Sequence, residues 1–290
     1  MIDGRPSRTA LFTAAARAAH PEVDGEPLLF RDTLAAPLLG DLAAEMVGYH
    51  RAQGDHPILS GTRTLTVTRS HYTERRLGEL AGRGLGQYVI LGAGLDTYAY
   101  RAGDGAGDGA RGGGPRVFEA DHPATQEWKR GLLAAAGIPV PDGLTFVPVD
   151  FESDEPVRRL ADEGFDPGRP ALVSWLGVSV YLTPDALHAA LAEFGRLAPG
   201  SELIMEYLLP PALRDEAGAA YADFSGRAVS DLDEPHRTFL APAEVADAMA
   251  AHGLKVVEDV GTREAVPAPS WRRSDALCPF DFARLVRATI

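Results

Sequence analysis

The strongest local signal of a ligand-binding site is a glycine turn in the first half of the chain. Residues 88–91 (YVIL) are a continuous apolar run, typical of a strand buried on both faces, and Gly92, Ala93 and Gly94 follow directly. Glycines allow a tight turn and close approach of a ligand to the main chain, and a following helix offers unpaired N–H groups. The dinucleotide fingerprint would place a third glycine at Thr97. The turn therefore suits a ligand without phosphates, or it is a tight turn that binds nothing.

Acidic residues end two strand-like segments further along the chain. The run VFEAD ends at Asp121, with Glu119 two positions before it, and the run FVPVDF carries Asp150 and Phe151. Ligands of open α/β sheets bind at the carboxyl ends of the strands, where a carboxylate can accept hydrogen bonds from both hydroxyls of a ribose. Asp150 could accept a hydrogen bond from an adenine amino group, with Phe151 against the ring, or it could cap the next helix. Asp121 lies further from the glycine turn than the roughly 20 residues expected, and the glycine-rich residues 103–115 account for the excess.

Strand-like and helical patterns alternate through the chain after Gly82. Strands separated by helices indicate βαβ units and a parallel sheet. The last two predicted strands, 254–260 and 282–289, are joined by a Pro-rich loop without a helical pattern, which predicts an antiparallel hairpin at one sheet edge. A helix over 242–252, closed by Gly253, precedes them. The other predicted strands are 87–91, 116–119, 144–149, 171–176 and 203–207.

The segment before Gly82 is mostly helical in pattern, so we predict a helical N-terminal cap over 1–82 and an α/β core over 83–290. Within the cap, residues 62–68 alternate β-branched side chains and could instead form a strand. Within the core, the irregular residues 208–233 could form a lid over the site or a surface excursion. The predicted cap helices are 9–19, 34–51 and 69–80, and the glycine-rich residues 103–115 are predicted to be a solvated connector.

Composition and charge disfavour several classes of function. The chain has 290 residues with 28 Lys+Arg against 41 Asp+Glu, a net charge of −13, so it has no general attraction to nucleic acid or anionic lipid. No apolar run is long enough to span a membrane, and Cys278 is the only cysteine. A disulfide framework is thereby excluded, as is a zinc site with two thiolates, and no histidine pattern predicts a metal site. We expect a cytoplasmic protein with a small-molecule partner and without nucleic-acid or membrane partners; a homodimer is left open.

Six stretches of the sequence together resemble the leucine carboxyl methyltransferase superfamily of class I S-adenosylmethionine-dependent methyltransferases. This superfamily includes protein-phosphatase methyltransferases and bacterial O-methyltransferases that act on polyketide-type carboxyls and hydroxyls. The resemblance implies a Rossmann-like α/β fold with a seven-stranded, mostly parallel sheet and a helical N-terminal cap, and it favours a helix over 62–68. The matching stretches are 7–10 (SRTA), 87–101 (QYVILGAGLDTYAYR), 117–130 (VFEADHPATQEWKR), 146–152 (FVPVDFE), 174–183 (SWLGVSVYLT) and 234–245.

The resemblance implies that S-adenosyl-L-methionine is the cofactor and assigns residues to its methionine part. Arg17 and Arg63 match basic positions that hold the methionine carboxylate, and the fork of a guanidinium suits a carboxylate. Taken singly, each arginine could equally be a solvated surface charge. The turn from Gly92 through Gly94, with Asp96 beyond it, matches the segment that lines the methionine moiety.

The resemblance also assigns the nucleoside part of the cofactor. Asp121, with Glu119 beside it, matches the acid that binds the ribose, and Asp150 and Phe151 match the adenine contacts. Leu176 departs from the pattern, because several relatives have a glutamate near this position. An apolar side chain cannot accept a hydrogen bond from the cofactor amine, so a backbone carbonyl would have to replace it.

Candidate residues on the acceptor side are Tyr181, Tyr207, His122 and His236, each of which could instead pack or cap. Tyr207 follows an apolar strand and is expected at the active edge of the sheet. Methyl transfer from a sulfonium is an in-line displacement in which the protein mainly aligns the reactants and excludes water. A carboxylate acceptor is already ionised and needs no general base, whereas a phenol or alcohol needs one. Family precedent and the absence of an obvious catalytic dyad favour a carboxylate or an acidic hydroxyl.

Other functions are less favoured but remain open at this point. Methylation of a protein C-terminus is the alternative within the same class. An NAD-dependent oxidoreductase could use the same turn, although the missing third glycine and the hairpin-like end argue against it. A cofactor-binding protein without turnover is the third alternative, and magnesium-dependent methyl transfer to a catechol is a fourth. Base N-methylation lacks its Asn/Asp-Pro-Pro-Tyr/Phe signature, and cytosine C5 methylation would need a catalytic cysteine, whereas Cys278 lies near the terminus.

Overall fold

Seven strands form the centre of the part of the chain that the computed structural model describes, which is residues 7–101, 114–230 and 235–290. Every predicted strand is present, with its ends shifted by only one or two residues. The strands are β1 (Gln87–Leu91), β2 (Arg116–Asp121), β3 (Leu144–Pro148), β4 (Leu172–Trp175), β5 (Glu202–Leu208), β6 (Lys255–Gly261) and β7 (Ala283–Thr289).

The order of the strands creates a crevice at the carboxyl edge of the sheet. The order is β3-β2-β1-β4-β5-β7-β6, and the first five strands run parallel. The chain leaves β1 toward β2 and later returns to place β4 on the other side of β1, which makes β1 and β4 the switch point where ligands bind in open α/β sheets. Strand β7 is antiparallel to both β5 and β6, so the predicted terminal hairpin is confirmed, with β6 at the edge.

Helices cover both faces of this sheet within the described ranges. They are α1 (Thr9–Val23), α2 (Ala35–Leu39), α3 (Ala43–Ala52), α4 (Pro57–Ala81), α5 (Tyr98–Arg101), α6 (Pro123–Ala135), α7 (Pro156–Asp162), α8 (Pro184–Phe194), α9 (Glu216–Ser230) and α10 (Pro242–Ala251). None of these helices is both long enough and apolar enough to cross a membrane.

Alternate residues of each central strand feed two separate cores. In β1, Val89 and Leu91 pack with side chains of α7, α8 and α10, whereas Tyr88 and Ile90 pack with side chains of α4 and α5. The side chains of a strand point to opposite faces in turn, so an uninterrupted apolar run is what a two-sided sheet requires. The predicted Rossmann-like α/β fold with a seven-stranded, mostly parallel sheet is confirmed.

The cap is helical, but its helices begin and end differently from the prediction. The predicted helix over 34–51 is interrupted, because α2 ends at Leu39, Gly40 follows with a φ of 55°, and a 3-10 turn leads into α3. The segment 62–68 is helical and lies inside α4, where the buried face of Thr64, Val67 and Thr68 outweighs the strand preference of β-branched residues. Residues 103–113 of the predicted connector lie outside the described ranges.

A buried polar network holds three parts of the cap together. Arg63 on α4 donates to both carboxylate oxygens of Asp24, at 2.8 and 3.0 Å, and to the Gly54 carbonyl at 2.8 Å. Its third nitrogen lies 3.0 Å from Nδ1 of His50, and His20 lies 2.8 Å from Asp24. A buried arginine and a buried carboxylate each require such partners, since either charge alone would be costly. Burial, together with the nearby Arg63 charge, lowers the pKa of His50 to about 4.

The lowered pKa of His50 predicts that the fold is less stable in mild acid. The unfolded chain binds a proton at this ring below pH about 6.5, but the folded chain does so only near pH 4. The free energy of unfolding should therefore rise with pH across this window, and His50 should contribute up to about 3 kcal/mol of that rise. Urea denaturation of the wild type and of His50→Gln, at steps between pH 4 and 7.5, measures the difference.

The control is His188→Gln, a substitution of an exposed histidine on α8. This variant should keep the pH slope of the wild type, whereas His50→Gln should flatten it. His236, whose pKa burial also lowers to about 4, contributes a slope of the same sign and remains in both variants. Equal slopes in the wild type and His50→Gln would show that His50 is not buried in its neutral form.

Candidate functional site

The glycine turn after β1 is shaped by two residues with positive φ. Gly92 has a φ of 64° and Gly94 a φ of 48°, in the region that L side chains rarely adopt. A Cβ on Gly92 would overlap Val178, and a Cβ on Gly94 would lie 3.2 Å from the Cβ of Ala10. The turn is also fixed to the next strand, because the Gly92 N–H donates to the Ala120 carbonyl at 2.7 Å. Both glycines line the cavity described below, and without side chains they leave their main chain open to it at the carboxyl edge of the sheet.

Asp121, the last residue of β2, fixes the other side of this turn. Its Oδ2 accepts from the Gly94 N–H at 2.6 Å and its Oδ1 from the His122 N–H at 2.7 Å. Burial raises the pKa of this carboxyl, although the two N–H groups oppose the rise. The carboxylate therefore lies in the wall of the site, held by backbone donors and facing the uncovered turn.

Glu119 does not join Asp121 at the site, which corrects our expectation that both acids face the ligand. It lies two residues earlier on the same strand, one step deeper, and does not line the cavity described below. Its Oε2 is 2.7 Å from the ammonium of Lys129 and accepts from the Tyr100 hydroxyl at 3.2 Å. Full burial raises the pKa of Glu119, and Lys129 opposes the rise. Glu119 and Lys129 form a buried ion pair beneath the site.

A cavity of about 220 Å³ opens above these groups, at the carboxyl ends of β1, β2 and β4. It brings together nine of the predicted cofactor-binding residues and one predicted acceptor-side residue, Tyr181. It also includes residues that the sequence did not single out, among them Arg69, Ser70 and Arg237. The predicted residues that line it are Arg17, Gly92, Ala93, Gly94, Asp96, Asp121, Asp150, Phe151, Leu176 and Tyr181.

Arg17 reaches the cavity from α1 in the cap. It is only 7% exposed, and two of its three nitrogens are engaged: Nε donates to Asp32 at 2.7 Å and Nη2 to the Leu95 carbonyl at 2.6 Å. Thr13, one turn earlier on α1, also lines the cavity. The cap therefore contributes a wall of the site as well as covering the sheet.

Arg63 does not line the cavity, which corrects our assignment of this residue to a ligand carboxylate. Its guanidinium is used inside the cap by Asp24, His50 and the Gly54 carbonyl. Arg69, six residues later on α4, lines the cavity instead. At about 100° per residue, six residues turn the helix by roughly 240°, so the two arginines lie on different faces. The helical phase was the only signal in the sequence that could have separated them.

Arg69 is held against the carboxyl end of β5. Its Nη1 lies 2.6 Å from Oε2 of Glu206, and a Cβ on Gly177 would lie 2.9 Å from the same nitrogen. Ser179 donates to the Glu206 carbonyl at 2.5 Å and so closes the same corner. Arg69 therefore places a positive charge beside the segment that follows β4.

Three of the four predicted acceptor-side residues do not line the cavity. Tyr207 is the clearest correction, because its hydroxyl donates to Asp259 at 2.7 Å on the opposite face of β5 from Glu206. His122 caps α6, where its Nδ1 accepts from a backbone N–H at 3.2 Å. His236 packs against Tyr181, with ring centroids 5.4 Å apart and the rings tilted by 43°.

Asp150, Phe151 and Leu176, which we predicted to contact the nucleoside part of the cofactor, all line the cavity. Asp150 is exposed, and its Oδ1 also accepts from the Glu152 N–H at 3.1 Å. Helix α9, in the predicted lid, packs on α4 through Tyr221, and its described side chains do not line the cavity. Residues 231–234 lie outside the described ranges, so the lid stays a prediction.

The cavity has the chemistry of a binding site that orients a charged ligand. Asp121 and Asp150 lie at the ends of β2 and β3, Arg17 and Arg69 reach the cavity from α1 and α4, and Arg237 lies beside Glu152. The described lining contains no histidine, lysine or cysteine, and within the described residues no three His, Cys, Asp or Glu side chains group as a metal site. Alignment and electrostatics, rather than a proton relay, are what this arrangement can supply.

Comparison with known proteins gives consistent results. A family model described as leucine carboxyl methyltransferase matches residues 10–195. A Bacillus subtilis (strain 168) protein, provisionally named S-adenosyl-L-methionine-dependent methyltransferase YktD, is 28% identical over 309 residues, which cover 99% of each chain. A Mycolicibacterium smegmatis protein with a provisional name of the same kind is 31% identical over 278 residues, covering 89% of this chain and 82% of its own.

Two crystal structures show the same fold. A DUF574 family protein from Streptomyces avermitilis superposes with a TM-score of 0.58 and 17% identity, over 95% of this chain and 96% of its own. A provisionally named methyltransferase from Thermobifida fusca superposes with a TM-score of 0.57 and 19% identity, over 99% of this chain and 96% of its own. At these identities the likeness supports the fold and not the substrate.

The overlap at Gly92 predicts a coupling that can be measured. Gly92→Ala should lower the free energy of unfolding by about 2–4 kcal/mol, because the new Cβ is strained at positive φ and overlaps Val178. Val178→Ala removes the overlap but not the backbone strain. The double variant should therefore lose less stability than the sum of the two single variants, as urea denaturation of all three would show.

Gly131→Ala in α6 is the matched control, because a Cβ there meets nothing within 4 Å. It should stabilise the protein by roughly 1 kcal/mol, as alanine does in a helix interior. Strictly additive losses for Gly92→Ala and Val178→Ala would contradict the described packing of the turn.

Proposed function

The chain belongs to the leucine carboxyl methyltransferase family of S-adenosyl-L-methionine-dependent methyltransferases, and we propose that it methylates an oxygen atom of a small metabolite. The acceptor atom we propose is a carboxylate oxygen, or an acidic hydroxyl, on a polyketide-type compound of secondary metabolism in the cytoplasm. The observation that carries the proposal is the cavity that runs from the uncovered glycine turn past Asp121 to Asp150, with Arg17 and Arg69 in its walls.

The residues present fit S-adenosyl-L-methionine. Its amino-acid part requires close approach to main chain, which Gly92 and Gly94 allow because both line the cavity and neither has a side chain. Its ribose requires an acceptor, which the buried carboxylate of Asp121 provides. Its adenine requires an apolar surface and a polar edge, which Phe151 and Asp150 provide. Near Leu176, where several relatives have a glutamate, a backbone carbonyl would accept the hydrogen bond from the cofactor amine instead.

The proposed chemistry requires little from the protein besides orientation. Bound S-adenosyl-L-methionine supplies a methyl group on a positively charged sulfur. The enzyme's residues hold the acceptor oxygen in line and exclude water. A carboxylate acceptor is already ionised at neutral pH, so no residue has to remove a proton. The described lining has no histidine or lysine to act as a base, which supports a carboxylate over an ordinary alcohol.

Arg69 is the residue we propose to face the acceptor carboxylate. It lies at the carboxyl end of β5 beside the segment that follows β4, on the other side of the cavity from Asp121. Its bond to Glu206 uses one nitrogen, and a guanidinium can donate from its other nitrogens at the same time. Tyr181, which packs against His236, adds an aromatic ring to the lining of the same cavity.

We predict that Asp121→Ala weakens the binding of S-adenosyl-L-methionine by about 1–3 kcal/mol, because it removes the acceptor for the ribose hydroxyls. Isothermal titration calorimetry with S-adenosyl-L-methionine or S-adenosylhomocysteine measures the loss. Asp142→Ala, at an exposed position outside the cavity, is the control and should bind as the wild type does. Unchanged affinity in a folded Asp121→Ala protein would refute the ribose assignment.

The nature of the acceptor atom can be tested without knowing the acceptor. The protein is incubated with methyl-labelled S-adenosyl-L-methionine and with the small-molecule fraction of an extract of its source organism. A carboxyl methyl ester releases volatile labelled methanol on mild alkaline treatment, whereas an ether or an N-methyl group does not. We expect labelled, base-labile product in the small-molecule fraction.

The parallel incubation uses the protein fraction of the same extract. Base-labile label there, and not among small molecules, would favour methylation of a protein C-terminus instead. Label that withstands alkali would contradict a carboxylate acceptor. Failure of the wild type to bind the cofactor would contradict the methyltransferase itself and would leave an NAD-dependent reaction to be tested.

A further inference from the structure

Thr97 stands where the dinucleotide fingerprint has its third glycine, and its side chain has a definite partner. The hydroxyl is buried and donates to Oδ2 of Asp32 at 2.7 Å. It also accepts from Nε of Arg101 at 2.9 Å. Asp32 belongs to the cap, 65 residues earlier in the chain. The residue after the glycine turn therefore ties the core to the cap.

The carboxylate of Asp32 is fixed from several sides. Its Oδ1 accepts from the backbone N–H groups of Leu34 and Ala35, at 3.1 and 3.0 Å, at the start of α2. Its Oδ2 accepts from Thr97 and from Nε of Arg17, both at 2.7 Å. Burial alone would raise the pKa of Asp32, but the charges of Arg17 and Arg101 outweigh burial and lower it. Asp32 itself does not line the cavity.

Arg17 is left with one orientation by these contacts. Nε is held by Asp32, and Nη2 is held by the carbonyl of Leu95, which belongs to the segment that follows the glycine turn. Both anchors lie on one side of the planar guanidinium. Nη1 has no hydrogen-bond acceptor among the described residues, and Arg17 lines the cavity beside Gly94. Because a guanidinium is rigid and planar, holding two of its nitrogens also fixes the direction of the N–H groups on the third.

We propose that Asp32, supported by Thr97, is a positioning residue that sets Arg17 for the amino-acid carboxylate of S-adenosyl-L-methionine. The inference rests on the proposed function, because it concerns the same ligand. Asp32 touches no ligand and acts through Arg17. The hydrogen bond of Thr97 makes this positioning depend on the docking of the cap onto the glycine turn.

The cap contains a second pair with the same chemistry and no access to the cavity. Asp24 and Arg63 are both buried, with Nε of the arginine 2.8 Å from the carboxylate, but neither lines the cavity. Replacing Asp24 removes a buried carboxylate partner of an arginine just as replacing Asp32 does. It should affect stability in the same way without changing how a ligand carboxylate is bound. This pair provides a matched control.

The test compares two nucleosides that differ in the part Arg17 is proposed to hold. S-adenosylhomocysteine has the amino-acid group, and 5′-methylthioadenosine has the same nucleoside and sulfur but lacks that group. In Asp32→Asn, the dissociation constant of S-adenosylhomocysteine should rise about tenfold or more, as expected for loss of an oriented charge-assisted hydrogen bond. The dissociation constant of 5′-methylthioadenosine should stay at its wild-type value. Calorimetry with each nucleoside gives both constants.

Further variants separate positioning from stability. Thr97→Val removes the hydroxyl at nearly constant volume and should raise the dissociation constant of S-adenosylhomocysteine selectively, by less than Asp32→Asn does. Thr97→Ser keeps a hydroxyl and should bind both nucleosides as the wild type does. Thr97→Val carries the test by itself if Asp32→Asn does not fold. Asp24→Asn should be less stable to urea but should keep the wild-type ratio of the two dissociation constants.

The outcomes distinguish this inference from the proposed function. If the wild type binds neither nucleoside, the proposed function fails and the inference with it. If the wild type binds both and Asp32→Asn or Thr97→Val weakens the two equally, Asp32 serves only the fold and the inference is overturned. The same holds if Asp24→Asn shows the same selective loss as Asp32→Asn. A selective loss confined to Asp32 and Thr97 supports the positioning role.

Discussion

The hydrogen bond from the Gly94 N–H to the carboxylate of Asp121 is the contact on which the site depends. It joins the ends of β1 and β2 at 2.6 Å, and it requires a backbone at Gly94 that side chains disfavour. With the turn fixed in this way, main chain is uncovered on one side and a buried carboxylate lies on the other. The neighbouring strand ends then add Asp150 and Leu176 around the same opening. The switch in strand order between β1 and β4 leaves room for a ligand there.

Two buried carboxylates in the cap hold two arginines in different places. Asp24 keeps Arg63 inside the cap, where its donors satisfy a histidine and a carbonyl. Asp32 holds Arg17 at the edge of the cap, where the guanidinium faces the cavity. A buried guanidinium is stable only with such partners, so the position of each carboxylate decides where the positive charge is presented. The cap therefore forms part of the cavity wall as well as covering the sheet.

The lining of the cavity contains basic as well as acidic side chains, although the chain carries a net charge of −13. Arg17, Arg69 and Arg237 line it, each with a carboxylate partner, which is Asp32, Glu206 and Glu152 respectively. The guanidinium groups can therefore donate to an anionic group from the nitrogens that these partners leave. Beneath the site, the pairing of Glu119 with Lys129 neutralises a buried charge without placing it in the cavity.

The sequence by itself determined the sheet, the glycine turn and the acids at the strand ends, because these follow from local patterns. Apolar runs such as 88–91 indicate buried strands. Gly92 and Gly94 indicate a tight turn because they are glycines, and Asp121 indicates a hydrogen-bond acceptor because it is a carboxylate. The sequence did not show that Arg69 lines the cavity whereas Arg63 and Tyr207 do not. Those outcomes depend on the phase of a helix, on the face of a strand and on partners such as Asp32 that lie far away in the chain. Only the packed tertiary structure determines which side chains meet. The position of a buried charged group is set by the partners that satisfy it, and these partners can lie far away in the sequence.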